Sequence, residues 1–246
     1  MKVNTIGLNS VRLNTIALNH IGEIRSGGGD SKPSPIPQWI REHVVFYYDV
    51  KKQGATNETL KESAYLQDLS GKGRRMKLFN FLFSEQSGVT EDYSLATDSI
   101  GDYGLVENLS SGVKMLFMTV NPMMLNAALY DQRATSGWHL FSVITESNKV
   151  AYNAYNTKGK TYINGVLNES RTSNELQNEK QIITIVNSEV NETNSLPPNF
   201  FRIRGGGLRI KCAFYNSIAF NSIPTEADGF TEQELIDYVI TNIIGQ

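Results

Sequence analysis

The sequence predicts an all-β sandwich closed by one C-terminal helix and preceded by an extended, repeat-containing N-terminal arm. Three observations predict it. From His43 onward, short runs rich in β-branched and aromatic residues are separated by Gly, Asn, Ser or Pro groups, the pattern of an all-β sandwich. Helical spacing is sustained only near the C-terminus. Before the strands, Val3 to Gly22 repeats with a period of five.

The repeat units are Val3-Asn4-Thr5-Ile6-Gly7, Leu8-Asn9-Ser10-Val11-Arg12, Leu13-Asn14-Thr15-Ile16-Ala17 and Leu18-Asn19-His20-Ile21-Gly22. This period fits neither an amphipathic helix nor an alternating strand. Read as turns of a solenoid-like path, each Ile or Val points inward with the Leu two residues on, and Asn supplies the bends. So few units cannot bury their apolar face without stacked neighbours. Val3, Ile6, Leu8, Val11, Leu13, Ile16, Leu18 and Ile21 are therefore expected to anchor residues 1–25 against other copies of the chain or a larger host structure. The alternative is a frayed tail, against which the aliphatic content argues. Residues 26–37 combine Gly27-Gly28-Gly29 with Pro33, Pro35 and Pro37, a flexible-to-extended linker. The boundary falls near Pro37, leaving 38–246 as the sandwich domain.

Strands are predicted at His43 to Val50, Met76 to Phe83, Val113 to Val120, Trp138 to Thr145, Val150 to Asn156, Lys160 to Leu167, Gln181 to Val186 and Phe200 to Arg204. Asn164-Gly165 splits the Lys160 to Leu167 run as a type I′ hairpin turn, because both residues accept positive φ. From Leu208 to Asn221, Leu208, Ile210, Cys212, Phe214, Ile218 and Phe220 fall on one face, interrupted by Asn216, so one side is read as core. Thr231-Glu232-Gln233-Glu234 is a capping box. Leu235, Ile236, Val239, Ile240 and Ile243 follow at helical spacing, giving a helix from about Glu232 to Ile244. Its stripe is expected on the sandwich or plugging one end rather than on a partner.

A net charge of −2 argues against nucleic acid as a partner. Lys72-Gly73-Arg74-Arg75 reads as a solvated loop. The single cysteine, Cys212, permits neither an internal disulfide nor a cysteine metal cluster. Neither a signal-peptide core nor a membrane-length apolar run is present, so synthesis in a cytoplasm without standard secretion is expected. Asn57, Asn108, Asn168 and Asn191 match Asn-x-Ser/Thr and read as turn chemistry.

Phe46-Tyr47-Tyr48-Asp49, Asp68-Leu69-Ser70-Gly71-Lys72-Gly73, Leu78-Phe79-Asn80-Phe81, Trp138-His139, Tyr162-Ile163-Asn164-Gly165-Val166 and Ile218-Ala219-Phe220-Asn221 stand in the order of a laminin G-like, concanavalin A-like jelly roll, which the chain resembles from about Trp39 to Ile244. Lys52 to Asn57 and Ile223 to Glu226 give it the form found in virion proteins of crAss-like and other tailed phages of gut Bacteroides-type bacteria. The Leu-Asn-Thr-Ile units resemble their attachment segments. The resemblance implies a two-sheet antiparallel jelly-roll sandwich that binds sugar or protein on a concave face or rim. It also implies a virion location, as a head fibre, decoration or tail-associated protein.

Fold alone does not give function, and the chemistry was tested residue by residue. No strand carries the closely spaced acids of a jelly-roll glycanase. Glu226-Ala227-Asp228 precedes the capped helix and reads as a loop. No Gly-x-Ser-x-Gly motif occurs, and His20, His43 and His139 lie far apart in unlike contexts. The chain is therefore expected not to be an enzyme and to need no cofactor. Asp68, Asp98 and Asp102 are the acids available to a rim calcium, but lack regular ligand spacing, and no metal is assigned. Gly205-Gly206-Gly207 precedes a strand rather than a helix, so it reads as a turn and not a phosphate cradle. In Val150 to Asn156, Tyr152 and Asn156 share one face and Asn153 and Tyr155 the other, giving aromatic and amide groups suited to sugar. Two functions follow. In one, the arm fixes the chain, as a trimer, to a capsid or tail protein and the sandwich touches host glycan. In the other, the chain is a free lectin-like carbohydrate-binding module whose arm serves self-association. An enzymatic jelly roll is third.

Overall fold

The computed structural model describes residues 35–98, 100–109, 112–123, 127–132, 140–146, 149–152, 159–168, 172–175, 179–188, 197–202 and 209–245. Val3, Ile6, Leu8, Val11, Leu13, Ile16, Leu18 and Ile21 lie outside them, as do His20, Trp138, His139, Gly205, Gly206, Gly207 and Leu208.

Sixteen strands among the described residues form two antiparallel eight-stranded sheets, confirming the predicted fold class. The first sheet holds β1 (Val44–Asp49), β4 (Gly88–Val89), β5 (Leu95–Ala96), β7 (Met115–Pro122), β11 (Lys160–Ile163), β12 (Val166–Leu167), β14 (Gln181–Val186) and β16 (Cys212–Phe220). Its order is β12-β11-β14-β7-β16-β5-β4, with β1 also pairing β16. The second holds β2 (Tyr65–Leu66), β3 (Met76–Phe79), β6 (Tyr103–Val106), β8 (Ala127–Asp131), β9 (Leu140–Glu146), β10 (Lys149–Tyr152), β13 (Thr172–Glu175) and β15 (Asn199–Phe200). Its order is β13-β10-β9-β8-β15-β6-β3-β2. Between β11 and β12, Asn164 at φ 51° and Gly165 at φ 83° make the turn with two positive φ values that Asn-Gly dictates.

The expectation of a single helix is corrected by two more. α1 (Pro35–His43) takes in the last three residues of the expected linker. Pro35 and Pro37 sit in the first turn, where a backbone N–H has no helical acceptor, so they start this helix instead of breaking it. Ile36, Trp39 and Ile40 are buried along one stripe. α2 (Asn57–Ser63) is capped by Thr56 and Thr59 and ends on Ala64 at φ 55°. It buries only Leu60, leaving no periodicity to read.

The reading of one apolar face from Leu208 to Asn221 is also corrected. The β16–β7 register slips between Phe214 and Asn216, so Tyr215 is the extra residue of a bulge, and the strand changes which face points inward. Cys212 and Phe214 enter the core between the sheets, with Phe46, Tyr48, Leu116, Met118, Ile183 and Phe200. Ile218 and Phe220 instead join a second core on the outer face of the first sheet. There, Trp39 and Ile40 of α1 meet Met115, Phe117 and Val186 beneath α3 (Glu232–Val239) and its π-helical continuation Ile240–Ile244. The C-terminal helix thus packs on the sandwich.

Strand side chains hold that helix at both ends. Thr231 Oγ1 accepts from Glu234 N at 3.2 Å, and Glu234 Oε2 accepts from Thr231 N at 2.6 Å. Tyr162 Oη donates to Glu232, which Lys160 Nζ also reaches at 3.1 Å. The last carbonyls lack helical donors. Lys52 Nζ donates to Ile243 O at 2.6 Å, Tyr47 Oη to the same oxygen at 3.3 Å, and Asn216 Nδ2 to Ile244 O at 3.2 Å. Thr231→Ala is expected to lower stability by about 1 kcal/mol in urea unfolding, the usual cost of a lost N-cap.

Candidate functional site

The outward face of the second sheet carries a ladder of rings and cations. In β3, Met76 and Leu78 are buried and Lys77 and Phe79 point outward; in β6, Gly104 and Val106 are buried, while Tyr103 and Leu105 face outward. The register sets Phe79 opposite Tyr103, Lys77 opposite Leu105 and Tyr65 opposite Lys77. The rings of Phe79 and Tyr103 stack at 4.5 Å with planes 2° apart. Lys77 Nζ lies 5.2 Å from the Phe79 centroid, and the Arg202 guanidinium carbon 3.1 Å from the Tyr103 centroid. The order along the stack is therefore ammonium, ring, ring, guanidinium. Beyond Lys77, Arg75 covers the Tyr65 ring at 4.1 Å and pairs with Glu107 at 3.5 Å.

This arrangement can hold a polar ring. Cations on the π faces are worth about 0.5–1 kcal/mol each at exposed sites, which keeps the long side chains upright. The ring edges, which carry partial positive charge, and the donor heads of Lys77 and Arg202 then form a half-buried crest. Beside it in the register, Asn199 pairs with Leu105 and Asp131, and both polar residues are buried. Gly104 lets the ladder strand lie flat: a Cβ there would run into the Met76 thioether.

Of the four residues expected to touch glycan, Tyr152 ends β10 and pairs with Val143 in this same sheet. It lies on the far side of β9, β8, β15 and β6 from β3. Asn153, Tyr155 and Asn156 lie outside the described residues. Sequence reasoning missed Tyr103 and Arg202, although the alternation of Met76 to Phe79 was a signal for Lys77 and Phe79.

The other candidates have structural partners. Asp68 accepts from the backbone N–H of Tyr47, Ser70 and Arg74 at 3.0, 2.9 and 3.0 Å, which uses its oxygens to shape a loop rather than to offer them to calcium. Asp228 accepts from Thr225 N at 2.6 Å, closing the turn Glu226–Asp228. His43 contacts Asn221 Oδ1 at 3.3 Å and the Trp39 ring. Burial pushes the Cys212 thiol up to about 12. Among the described residues no three His, Cys, Asp or Glu side chains gather as metal ligands.

Asp102 is the exception to this quiet picture. It is buried, its Oδ2 accepts from Asp98 N at 2.9 Å, and its Oδ1 has no partner. Burial, with the Asp98 charge adding to it, pushes its carboxyl up to about 6. The folded state therefore holds this proton more tightly than the unfolded chain, whose Asp titrates near 4. The resulting stability is present below about pH 4 and lost as pH rises through about 6. Asp102→Asn should flatten this fall between about pH 4 and 6 in thermal unfolding; an unchanged pH profile would contradict the assignment.

No family model matches the chain, and no curated protein matches it. Among solved structures, Trypanosoma rangeli sialidase in complex with 2,3-difluorosialic acid, a covalent intermediate, is similar at 11% identity and a TM-score of 0.50, over 95% of this chain and 39% of that one. A mutant of the same sialidase displaying trans-sialidase activity is similar at 11% identity and a TM-score of 0.48, over 92% of this chain and 38% of that one. Domain 4 of the GH43 extracellular arabinanase AbnA from Geobacillus stearothermophilus, in complex with arabinotriose, gives 13% identity and a TM-score of 0.38, over 79% of this chain and 98% of that one. The chain thus spans about two fifths of the sialidase chains. At these identities the likeness is one of fold, an all-β sandwich.

The expectation that the chain is not an enzyme is corrected here: a sialidase chain contains this fold, so the fold gives no ground for excluding an enzyme. That expectation rested on missing paired carboxylates, the missing Gly-x-Ser-x-Gly motif and the scattered histidines. Sialidases use a tyrosine nucleophile and fall outside the two-carboxylate scheme, so the test was too narrow to exclude hydrolases.

Proposed function

We propose that the chain is a glycan-binding β-sandwich domain, and that sugar lies along the crest formed by Lys77, Phe79, Tyr103 and Arg202. The observation that carries this reading is the Phe79–Tyr103 stack, held upright on an outward sheet face with a cation at each end. Sugar rings combine C–H faces with hydroxyl groups, and a crest of ring edges and N–H donors matches both. The shared fold is consistent with it, since the similar sialidase chain holds a sugar derivative, 2,3-difluorosialic acid. Paired Phe79→Ala and Tyr103→Ala changes are expected to weaken glycan affinity by about ten-fold or more in calorimetric titration, equivalent to about 1.4 kcal/mol. The thermal midpoint should hold within a few degrees. Unchanged affinity would remove this face from the reading.

A finer reading rests on the pentads and on the resemblance to phage proteins: the domain works tethered in a virion, its arm bound to a capsid or tail protein, as a trimer. Deleting Met1 to Arg25 is then expected to abolish attachment to purified particles while leaving a folded monomer. Strong glycan binding with no particle attachment in the intact chain would favour the free lectin-like module instead.

A further inference from the structure

We propose that the sugar bound here carries a carboxylate, held by Arg202 and Arg209 at the Tyr103 end of the ladder; this rests on the glycan reading above. Arg202 and Arg209 are direct partners in an antiparallel bridge, so their side chains leave the same face of the hairpin side by side. Like charges directly opposite each other destabilise a sheet. Nothing in the described fold offsets them. The ion pairs among the described residues are Lys52–Asp49, Arg75–Glu107 and Lys160–Glu232, none of which involves either arginine.

Each guanidinium also has a buried Nε with no acceptor. Leaving a buried donor unpaired is costly, and more so when it is charged. Ile210 N donates to Phe201 O at 3.1 Å, and both residues lie in the inter-sheet core, so the backbone pins the pair in place. One ligand feature answers the paired charges at the outer guanidinium nitrogens. A carboxylate accepts two parallel N–H bonds from a guanidinium, and its charge cancels the repulsion. The ring that bears it would then run over the Tyr103 and Phe79 edges toward Lys77. Single-stranded nucleic acid also suits rings and cations. It carries a phosphate on every nucleotide, and the net charge of −2 disfavours so polyanionic a partner more than a sugar acid.

Calorimetric titration of the full chain tests this with two matched pairs: 3′-sialyllactose against lactose, and trigalacturonate against its methyl ester. At least one acidic member is expected to bind about ten-fold or more tightly than its neutral counterpart. Arg209→Gln, outside the crest, should bring that ratio near one without changing neutral-sugar affinity; Arg202→Gln should also bring it near one while weakening the neutral member, because Arg202 caps the Tyr103 ring as well, and Arg202→Lys should restore only part of the ratio. Equal binding of acidic and neutral members overturns the carboxylate while leaving the glycan reading in place. If neither member of either pair binds, and a glycan panel is blank, both fall. Tighter binding of a short single-stranded oligonucleotide than of any sugar overturns the proposal in favour of nucleic acid.

Discussion

Phe200→Ala is expected to remove about 3–5 kcal/mol of folding stability, the range for deleting a fully buried aromatic ring. Phe200 is completely buried, and its ring meets Tyr130 at 5.2 Å, Phe201 at 5.8 Å, Phe46 and Phe214 at 5.9 Å and Tyr48 at 6.1 Å. Phe46 and Phe214 belong to the first sheet and Tyr130 to the second, so this one side chain joins the two. Edge-to-face contacts add about 0.5–1.5 kcal/mol each beyond burial, which favours the upper part of the range. The effect also reaches the candidate site. Phe200 pairs with Gly104, and its neighbour Asn199 with Leu105, so a cavity behind β6 should loosen the strand that presents Tyr103. Urea unfolding followed by circular dichroism reads the stability loss; a change below about 1 kcal/mol would mean the sheets are joined elsewhere.

Trp39→Ala is expected to cost a similar amount, about 3–5 kcal/mol, for a different structural reason. Trp39 is 4% exposed and packs against Phe220 at 5.4 Å and edge-on to Phe230 at 5.9 Å. It therefore fastens α1 to the outer face of the first sheet beside α3. Its Nε1 has no partner, so Trp39→Phe removes an unpaired buried donor along with some volume and should cost far less. Unfolding is expected to stay a single transition in both variants, because β16 serves both cores. Two separated transitions in Trp39→Ala would show that the helical layer is an independent unit.

What the sequence revealed was mostly local. Asn164-Gly165, the Thr231 capping box and the Gln181 to Val186 strand each depend on a few neighbouring residues whose backbone demands are read directly, and each stands where expected. The bulge at Tyr215 was half visible, since Asn216 broke the apolar alternation. Which face Ile218 and Phe220 would then choose depended on the helices covering the sheet. α1 was hidden by prolines that read as breakers from one side and as helix starters from the other. In the candidate site, Lys77 and Phe79 were legible from alternation, but β6 was not read as a strand. Gly104 weakens its strand signal, and only the packing against Met76 shows why glycine is there. The opposition of Arg202 and Arg209 is a matter of hairpin register, which no local pattern fixes. Tyr152 belongs to the same sheet as the ladder, with β9, β8, β15 and β6 between its strand and β3.

The most direct test of the central claim is to map backbone amide chemical shifts of the isotope-labelled chain during titration with a glycan it binds. The ladder account expects the largest changes at Lys77, Phe79, Tyr103 and Arg202, with the amides of α1 and α3 unmoved. Changes confined to the first sheet or its helical layer, with the ladder silent, would contradict it.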